Sequence, residues 1–315
     1  MSEADEPNPS IAVILPCFNE AAAIAEVVSS FSAEIPSSKI YVYDNASTDN
    51  TAEIVSGTSA AIRTEPVKGK GNAVRRAFAD IDADIYVIAD GDGTYDASAV
   101  TSLIETLRRE TLDMVVGVRD SGDAAAYRPG HLFGNKVFSA LFRYLFRARF
   151  TDILSGYRVF SRRFVKSFPS TSQGFEIELE MSTHAALLRM PTSEVTTTYR
   201  ERPKGGESKL NTFTDGFRIL RSMMRFLRLH RPRFVYGVLT ILGGTLSTFL
   251  AIPVVAEYLM TGLVPRLPTA ILAASIMLAA FVMFAIGAIL DAQARYFSET
   301  KRLAYLRIPP PPGFD

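Results

Sequence analysis

Two aspartates lie two positions apart where an apolar run of the chain ends. Asp90 and Asp92 follow residues 85–89, with Gly91 between them and Gly93 after them. If the chain stays extended, both carboxylates project to the same side, and the glycines let a ligand approach the backbone. Aspartate and glycine also form ordinary turns, but two like charges this close need a cation. Carboxylate oxygens suit Mg²⁺ or Mn²⁺, which fill the rest of their shell from substrate phosphates and water.

Short β-rich runs alternate with helical stretches on both sides of this pair. The pattern predicts strands over residues 11–15, 40–43, 61–64, 85–89 and 114–118, and helices over 21–31, 51–56, 71–79 and 99–110. Such alternation indicates an α/β fold with a mostly parallel, doubly wound sheet. Ligands bind these sheets beyond the carboxyl ends of the strands, and polar residues follow four of the runs, at positions 19–20, 44–45, 68–71 and 90–94.

The composition excludes several classes of protein. The 34 Lys and Arg residues balance 33 Asp and Glu, so the formal charge of +1 gives no field for binding nucleic acid. A single cysteine and three histidines allow neither an intramolecular disulfide nor a structural zinc site. The sequence also lacks the glycine-rich phosphate loops of P-loop NTPases and of dinucleotide-binding dehydrogenases. A nucleotide, if one binds, is held in another way.

Two uncharged runs near the C-terminus, residues 234–256 and 268–290, are each 23 residues long. A helix of that length extends about 34 Å and crosses a hydrocarbon core of about 30 Å. We interpret both as transmembrane helices; the alternative is a pair of helices buried in a soluble core. The connection between them holds one Glu and one Arg, whereas basic residues flank the pair: Arg218, Arg221, Arg225, Arg228, Arg231 and Arg233 before it, and Arg295, Lys301, Arg302 and Arg307 after it. The positive-inside rule places both flanks, and the domain before them, in the cytoplasm at the inner membrane.

The remaining segments complete the predicted domain organisation. Residues 1–10 form a loose tail, residues 11–211 the globular domain, residues 212–233 an amphipathic helix at the membrane surface and residues 291–315 a cytoplasmic tail. The amphipathic helix is predicted because apolar residues recur at helical spacing among arginines; a helix packed on its own domain is the alternative. The apolar positions are Phe213, Phe217, Leu220, Met224 and Leu227.

Six motifs, which follow one another along the chain, resemble those of a known family. The first four are Leu15-Pro16-Cys17-Phe18-Asn19-Glu20, Asp44-Asn45-Ala46-Ser47-Thr48-Asp49, Gly69-Lys70-Gly71 and Asp90-Gly91-Asp92. They resemble family 2 glycosyltransferases with the GT-A fold. Two later motifs, residues 152–158 and 202–210, are similar to the branch that makes polyprenyl-phosphate sugars, the dolichol-phosphate mannose synthase group, whose bacterial members also carry two C-terminal spans. The resemblance covers residues 11 to 232.

The resemblance implies the site residues and their roles. A pocket for the base and ribose of a nucleoside diphosphate sugar would be lined by Pro16, Asn19, Glu20 and Asp44. Lys70 and Asp90 would face the nucleotide, and Asp92 would hold Mg²⁺ or Mn²⁺ together with Thr94, which stands where the family often has Gln. Six residues would grip the diphosphate and the lipid phosphate or, alternatively, be structural or solvated: Arg119, Arg128, Ser155, Arg158, Arg202 and Lys209.

The predicted reaction is inverting transfer of a hexose or N-acetylhexosamine to polyprenyl phosphate. A phosphomonoester has a second pKa of about 6 and is an anion near neutral pH, so no strong base is required. One of Glu176, Glu178 and Glu180 contacts the sugar, or the three form a solvated face. UDP-glucose, UDP-N-acetylglucosamine and GDP-mannose stay open as donors, with UDP favoured.

Three other functions are compatible with parts of the sequence. A processive polysaccharide synthase would bring more spans and a Gln-x-x-Arg-Trp motif, but the chain has no tryptophan. The others are a non-catalytic, membrane-anchored nucleotide-sugar binder and an enzyme acting on hydroxyls of another lipid or of protein. Small residues such as Gly243 and Gly244 permit packing between spans, which leaves a homo-oligomer open.

Overall fold

The computed structural model describes residues 9–120, 131–146, 148–202 and 212–311. The chain divides into two compact units. The first comprises Met1–Leu220 and Lys301–Asp315, and the second comprises Arg221–Thr300.

A seven-stranded sheet forms the centre of the described part of the first unit. Its strands are β1 (Ile11–Cys17), β2 (Lys39–Asp44), β3 (Ala61–Thr64), β4 (Ile85–Ile88), β5 (Met114–Asp120), β6 (Arg158–Ser161) and β7 (Thr192–Thr198). They lie in the order β3-β2-β1-β4-β6-β5-β7, and β6 runs antiparallel to both of its neighbours, β4 and β5. The predicted mostly parallel α/β sheet is confirmed.

Helices connect the strands. The described helices between residues 11 and 198 are α1 (Ile24–Glu34), α2 (Thr51–Ser56), α3 (Lys70–Asp80), α4 (Val100–Arg109), α5 (His131–Phe146), α6 (Arg162–Ser167) and α7 (Ile177–Leu188), and a 3₁₀ turn lies at Ala97–Ala99. Strands β1, β2 and β4 are largely apolar, as expected where helices cover both faces of a sheet. Val13, Leu15, Val42, Ile85 and Val87 are all buried in one core cluster.

The strand order creates a switch point between β1 and β4. From β1 the chain continues to β2 on one side, and it later returns to β4 on the other side. Parallel pairing aligns Cys17 with Asp44 and Ile14 with Ile88, so the carboxyl ends of three strands meet at one edge. Crevices at such switch points are where open α/β sheets bind ligands.

Asp113, at the start of β5, is a fully buried carboxylate that joins distant parts of the first unit. It accepts hydrogen bonds from Ser161 Oγ at 2.7 Å, from Arg163 Nη2 at 2.9 Å and from Tyr305 Oη at 2.8 Å. Arg163 and Arg302 also lie over the ring of Tyr305, at 4.8 and 5.1 Å from its centroid. The last residues of the chain's final helix are therefore part of this unit's packing.

Three long helices follow the sheet: α8 (Thr212–His230), α9 (Pro232–Thr261) and α10 (Leu267–Leu306). Helix α9 begins with proline at its first turn and ends at Gly262, whose φ of 71° is a left-handed cap that glycine adopts readily. Helix α10 continues past the predicted span, which ends at residue 290.

Two of the described helices, α9 and α10, are long and apolar enough to cross a membrane. Only 11% and 17% of their most apolar windows are buried, which argues against the alternative of two helices in a soluble core. The two helices touch through small residues: Ser247 Oγ donates to the carbonyl of Ala273 at 2.7 Å, and a Cβ on Gly243 would lie 3.3 Å from that of Ala280. Gly243 therefore packs within its own chain.

Candidate active site

A cavity of about 270 Å³ opens at the carboxyl ends of β1, β2 and β4. Most of its wall comes from four segments of the first unit: the β1–α1 connection, the turn before α3, the residues after β4 and the residues just before α7. The lining residues are Pro16, Cys17, Phe18, Glu20, Asn45, Lys68, Gly69, Lys70, Asp90, Gly91, Asp92, Phe175 and Arg202. The sequence predicted six of these as site residues: Pro16, Glu20, Lys70, Asp90, Asp92 and Arg202.

Asn19 forms hydrogen bonds that link the connection after β1 to the connection after β2. Its φ is 53°, its backbone N–H donates to Ser47 Oγ at 2.9 Å, and its Oδ1 accepts from the Thr48 N–H at 2.7 Å. Asparagine tolerates this left-handed conformation better than most residues do. Asn19 holds the cavity wall in shape, and its predicted contact with the nucleotide stays a prediction.

Asp44, at the end of β2, is a buried carboxylate with an unsatisfied acceptor. Its Oδ1 has no hydrogen-bond partner among the described residues. Asp44 is not among the residues that line the cavity, and this oxygen is closed to solvent, so its predicted contact with the base or ribose stays a prediction.

Asn45, the next residue, shapes the turn that leads into α3. Its side-chain amide donates to the carbonyls of Glu65 at 3.0 Å and Val67 at 2.7 Å, while its Oδ1 accepts from the Gly69 N–H at 2.6 Å. Gly69 adopts a φ of 130°, which a side chain would strain. This turn brings Lys68 and Lys70 to the cavity.

Lys70 links two carboxylates from distant parts of the chain. Its ammonium forms one ion pair with Asp90 and another with Glu178, the latter at 2.5 Å. The side chains of Lys70 and Glu178 are only 9% and 6% exposed. Burial opposes the charge on Lys70, but the Asp90 and Glu178 carboxylates outweigh burial and raise the pKa of Lys70. The lysine is therefore charged and holds Asp90 in place.

Gly156 approaches this ion pair closely. A Cβ on Gly156 would lie 2.8 Å from the Lys70 ammonium and 2.9 Å from Asp90 Oδ2. The Gly156 N–H donates to Tyr95 Oη at 2.8 Å. The glycine of the predicted 152–158 motif thus leaves room for the Lys70–Asp90 pair.

Helix α7 contains Glu178 and Glu180, two of the three glutamates that were predicted either to include a sugar contact or to form a solvated face. Glu178 and Glu180 are both buried, so the solvated-face alternative is wrong for them. Glu178 pairs with Lys70, and burial raises the pKa of Glu178 even though Lys70 opposes that shift. Glu180 accepts hydrogen bonds from the Thr171 and Ser172 N–H groups and fixes the loop ahead of α7.

Asp92 is held from two sides. Its Oδ1 accepts from the backbone N–H of Thr94 at 3.1 Å and from the Thr94 hydroxyl at 2.6 Å. Its Oδ2 lies 2.5 Å from Nη2 of Arg202. Thr94 therefore orients Asp92, and the predicted place of Thr94 in the metal shell stays a prediction.

Asp92 suits a divalent cation even though few protein ligands surround it. The described residues contain no group of three or more His, Cys, Asp or Glu side chains able to hold a metal ion. Mg²⁺ needs only one or two carboxylates when substrate phosphates and water supply its other ligands. Asp92 lines the cavity with one oxygen oriented by Thr94 and the other facing a cationic group, so the donor set fits.

Arg119 pairs with Asp152 rather than with a carboxylate of the cavity. The guanidinium is bidentate, with Nε and Nη2 each 2.8 Å from an Asp152 oxygen, and Asn135 donates to the same carboxylate at 2.9 Å. Burial disfavours the charged form of Arg119, but Asp152 raises its pKa well above the usual value. The predicted contact of Arg119 with a phosphate stays a prediction.

Ser155 and Arg158 lie in the core, which differs from their predicted contact with phosphate. Both are at most 1% exposed. Ser155 Oγ donates to the Gly117 carbonyl at 2.6 Å. Arg158 donates to the carbonyls of Ser155 at 2.9 Å and Ile153 at 2.8 Å. Since these groups are already used inside the protein, we assign both residues to holding the 153–158 loop, in place of the predicted role.

We expect Arg158→Lys to lower the free energy of unfolding by about 2–3 kcal/mol, because a single ammonium cannot reach every acceptor and leaves buried groups unpaired. The KM for the nucleotide sugar should stay within about twofold in the folded fraction. Chemical denaturation and initial rates measure the two quantities. A variant of normal stability with a KM raised about tenfold or more would return Arg158 to the phosphate-binding residues.

Two predicted residues, Arg128 and Lys209, fall outside the described part of the chain. Among the cavity residues that sequence reasoning left out, Phe18 lies under the Lys68 ammonium at 4.9 Å and Phe175 under that of Lys70 at 6.0 Å. Phe18 lies in the first of the six motifs, so its position in the sequence could have indicated that it lines the site. Phe175 lies in none of the six motifs, so its position in the sequence gave no such indication.

The chain belongs to glycosyl transferase family 2. The family model matches residues 12–168. Glycosyltransferase AglJ of Haloferax volcanii is 34% identical over 257 residues, which cover 80% of this chain and 83% of AglJ. Protein RfbJ of Shigella flexneri is 53% identical over 123 residues, 39% of this chain and 95% of RfbJ. The predicted family is confirmed, and the chain is a glycosyltransferase.

Solved structures confirm the GT-A type of fold. Glucosyl-3-phosphoglycerate synthase from Mycobacterium tuberculosis, crystallised with Mn²⁺, UDP and glucosyl-3-phosphoglycerate, superposes with a TM-score of 0.58. The match covers 70% of this chain and 80% of the synthase at 22% sequence identity. At that identity the likeness extends to the fold alone.

Proposed function

We propose that the chain transfers a hexose or N-acetylhexosamine from a UDP sugar to polyprenyl phosphate at the cytoplasmic face of the inner membrane. The choice of acceptor rests on one observation. This glycosyltransferase chain has two apolar helices, and most of their surface is exposed. A soluble acceptor does not require them. A lipid acceptor keeps its tail in the bilayer and its phosphate among the headgroups.

The cavity's carboxylates favour an acceptor that arrives as an anion. Lys70 neutralises Asp90, and Arg202 neutralises Asp92. Both carboxylates are therefore already engaged in ion pairs. A phosphate oxygen needs no base: it bonds to the anomeric carbon from one face as the bond to the diphosphate breaks on the other, and no proton moves.

The chain's own residues bind and align the reactants. Asp90 would be fixed by Lys70 toward the nucleotide. A divalent cation at Asp92 would neutralise the departing diphosphate. Arg202, at the same cavity, would add positive charge near the phosphates. Holding the two reactants in line supplies much of the rate in reactions of this kind.

Helix α8 would place the domain at the bilayer. Phe217, Leu220 and Met224 are exposed and share one stripe, and Arg221 and Arg225 lie exposed beside it. Such a surface suits anionic headgroups. Leu227, which the sequence pattern assigned to this stripe, is buried instead.

The donor is proposed from the relatives. Agl6 of Haloferax volcanii, named a low-salt glycan biosynthesis hexosyltransferase, is 29% identical over 238 residues. The mycobacterial synthase of the same fold was crystallised with UDP-glucose and Mn²⁺. These names favour a UDP-hexose and a divalent cation.

An acceptor panel tests the proposal. The full chain, purified in detergent, is incubated with Mg²⁺ or Mn²⁺ and with radiolabelled UDP-glucose, UDP-N-acetylglucosamine or GDP-mannose. The acceptors are undecaprenyl phosphate, undecaprenol as the matched neutral lipid, and 3-phosphoglycerate as a soluble phosphomonoester. We expect label in undecaprenyl phosphate only.

Three outcomes would overturn the proposal. Label in undecaprenol would indicate a hydroxyl acceptor, and label in phosphoglycerate a soluble one. Nucleotide-sugar binding without turnover on any acceptor would favour the non-catalytic binder.

A further inference from the structure

A short stretch of backbone pairing positions Arg202 at Asp92. Tyr199 forms an antiparallel bridge with Tyr95, and the Arg200 N–H donates to the Thr94 carbonyl at 2.8 Å. Residues 199–202 therefore run back along residues 92–96, shortly after β4. Arg200 pairs with Asp96 at 3.1 Å, and Arg202, two residues further on, pairs with Asp92.

The Arg202–Asp92 pair uses the carboxylate oxygen that a cation would need. Thr94 donates two hydrogen bonds to Asp92 Oδ1, which leaves Oδ2 for another partner. The Arg202 guanidinium lies 2.5 Å from this oxygen. The Asp92 side chain is 5% exposed and that of Arg202 is 25% exposed, so the arginine is the more solvent-accessible member of the pair.

The guanidinium and a divalent cation would compete for this oxygen because both are positively charged. The neighbouring carboxylate, Asp90, is already neutralised by Lys70. A doubly charged ion next to Arg202 would be repelled across a few ångströms in a partly buried cavity, where such repulsion is strong. Binding of the cation would therefore weaken the contact between Arg202 and Asp92 Oδ2.

We propose that Arg202 is a built-in counter-ion that a divalent cation displaces from Asp92, which frees the guanidinium for the phosphates in the cavity. The inference rests on the proposed function in one respect, that the cation binds at Asp92. Without the cation, Arg202 neutralises a buried carboxylate that forms no other ion pair among the residues the structure describes. With the cation, the same arginine becomes available to an anionic ligand. Cation binding would therefore prepare the cavity for the diphosphate or for the acceptor phosphate.

The test measures Mn²⁺ binding alone, without nucleotide or acceptor. Free Mn²⁺ is followed by electron paramagnetic resonance during titration of the full chain in detergent. Arg202→Gln removes the competitor, so we expect it to bind Mn²⁺ about tenfold more tightly than the unchanged chain does. Arg200→Gln is the matched control, because it removes the neighbouring arginine and spares Asp92, and its affinity should stay within about twofold. When Asp92→Asn is added to Arg202→Gln, the tighter Mn²⁺ binding should be lost.

A second measurement needs no substitution. Phenylglyoxal modifies free guanidinium groups, and mass spectrometry reports each arginine separately. Mg²⁺ should raise the modification of Arg202 severalfold and leave that of Arg200 unchanged. Equal or weaker Mn²⁺ binding by Arg202→Gln, absence of Mn²⁺ binding in both proteins, or unchanged labelling of Arg202 would each overturn the exchange. Neither readout involves turnover. If Arg202→Gln binds Mn²⁺ more tightly but the unchanged chain forms no polyprenyl-phosphate sugar, only the proposed function is contradicted.

Discussion

Asp92→Asn should lower kcat by about 10³-fold or more, since stabilising the charge on the leaving group usually contributes more to such transfers than any other single effect does. The amide keeps the size of the side chain and can still accept from Thr94, but it loses the charge that would hold a divalent cation. Mn²⁺ binding should be lost together with activity. Initial rates with the labelled donor, measured at saturating Mn²⁺, give the effect.

Asp96→Asn is the control for this change. Asp96 lies four residues further along the chain, accepts from the Ser98 N–H at 3.1 Å and pairs with Arg200, and it does not line the cavity. Its replacement should change the rate by about twofold at most. An Asp92→Asn enzyme that keeps about a tenth of its activity, or a native enzyme that works in excess chelator, would remove the cation from the mechanism.

Lys70→Met should destabilise the first unit by about 3–5 kcal/mol, because it leaves the buried Glu178 and the partly exposed Asp90 without their cation. Asp90 and Glu178 both depend on this ammonium. The melting temperature should fall by roughly 10 °C. Thermal unfolding followed by circular dichroism measures the shift.

A second substitution separates the charge effect from packing. In Lys70→Met with Glu178→Leu, one of the two stranded carboxylates is gone, so the double variant should recover part of the loss. Lys166→Met is the matched lysine control, since Lys166 is more exposed and donates to the Ile81 carbonyl. If Lys70→Met melts no lower than Lys166→Met does, the ion pairs around Lys70 contribute nothing to stability.

Much of the first half of the fold could be predicted because its signals are local. The runs that became β1 to β5 are short and rich in β-branched or aromatic residues, and glycine or aspartate follows several of them. Strands β6 and β7 were not predicted. β6 holds only four residues and begins at Arg158, the last residue of a motif that suggested phosphate binding, and a charged residue is not expected in a buried strand. β7 is rich in threonine and lacks an apolar run.

The site was predictable as a set of residues but not as a set of contacts. The resemblance identified Asp90, Asp92 and Arg202, yet spacing alone does not reveal which cation neutralises which carboxylate. Asp92 and Arg202 meet only because residues 199–202 pair back along residues 92–96. Glu178 reaches Lys70 only because α7 begins beside the turn that precedes α3. Partners so distant along the chain are set by tertiary packing.

The hydrogen bond from Tyr305 to Asp113 bears on how this enzyme can be shortened. A fragment that stops before α8 would keep every strand of the sheet, and it would be the natural choice for removing the apolar helices. That fragment would lack Tyr305 and Arg302, and among the described residues buried Asp113 would keep Ser161 and Arg163 as its side-chain donors. Recombinant work on the isolated sheet domain should therefore append the 301–311 segment or supply it as a peptide.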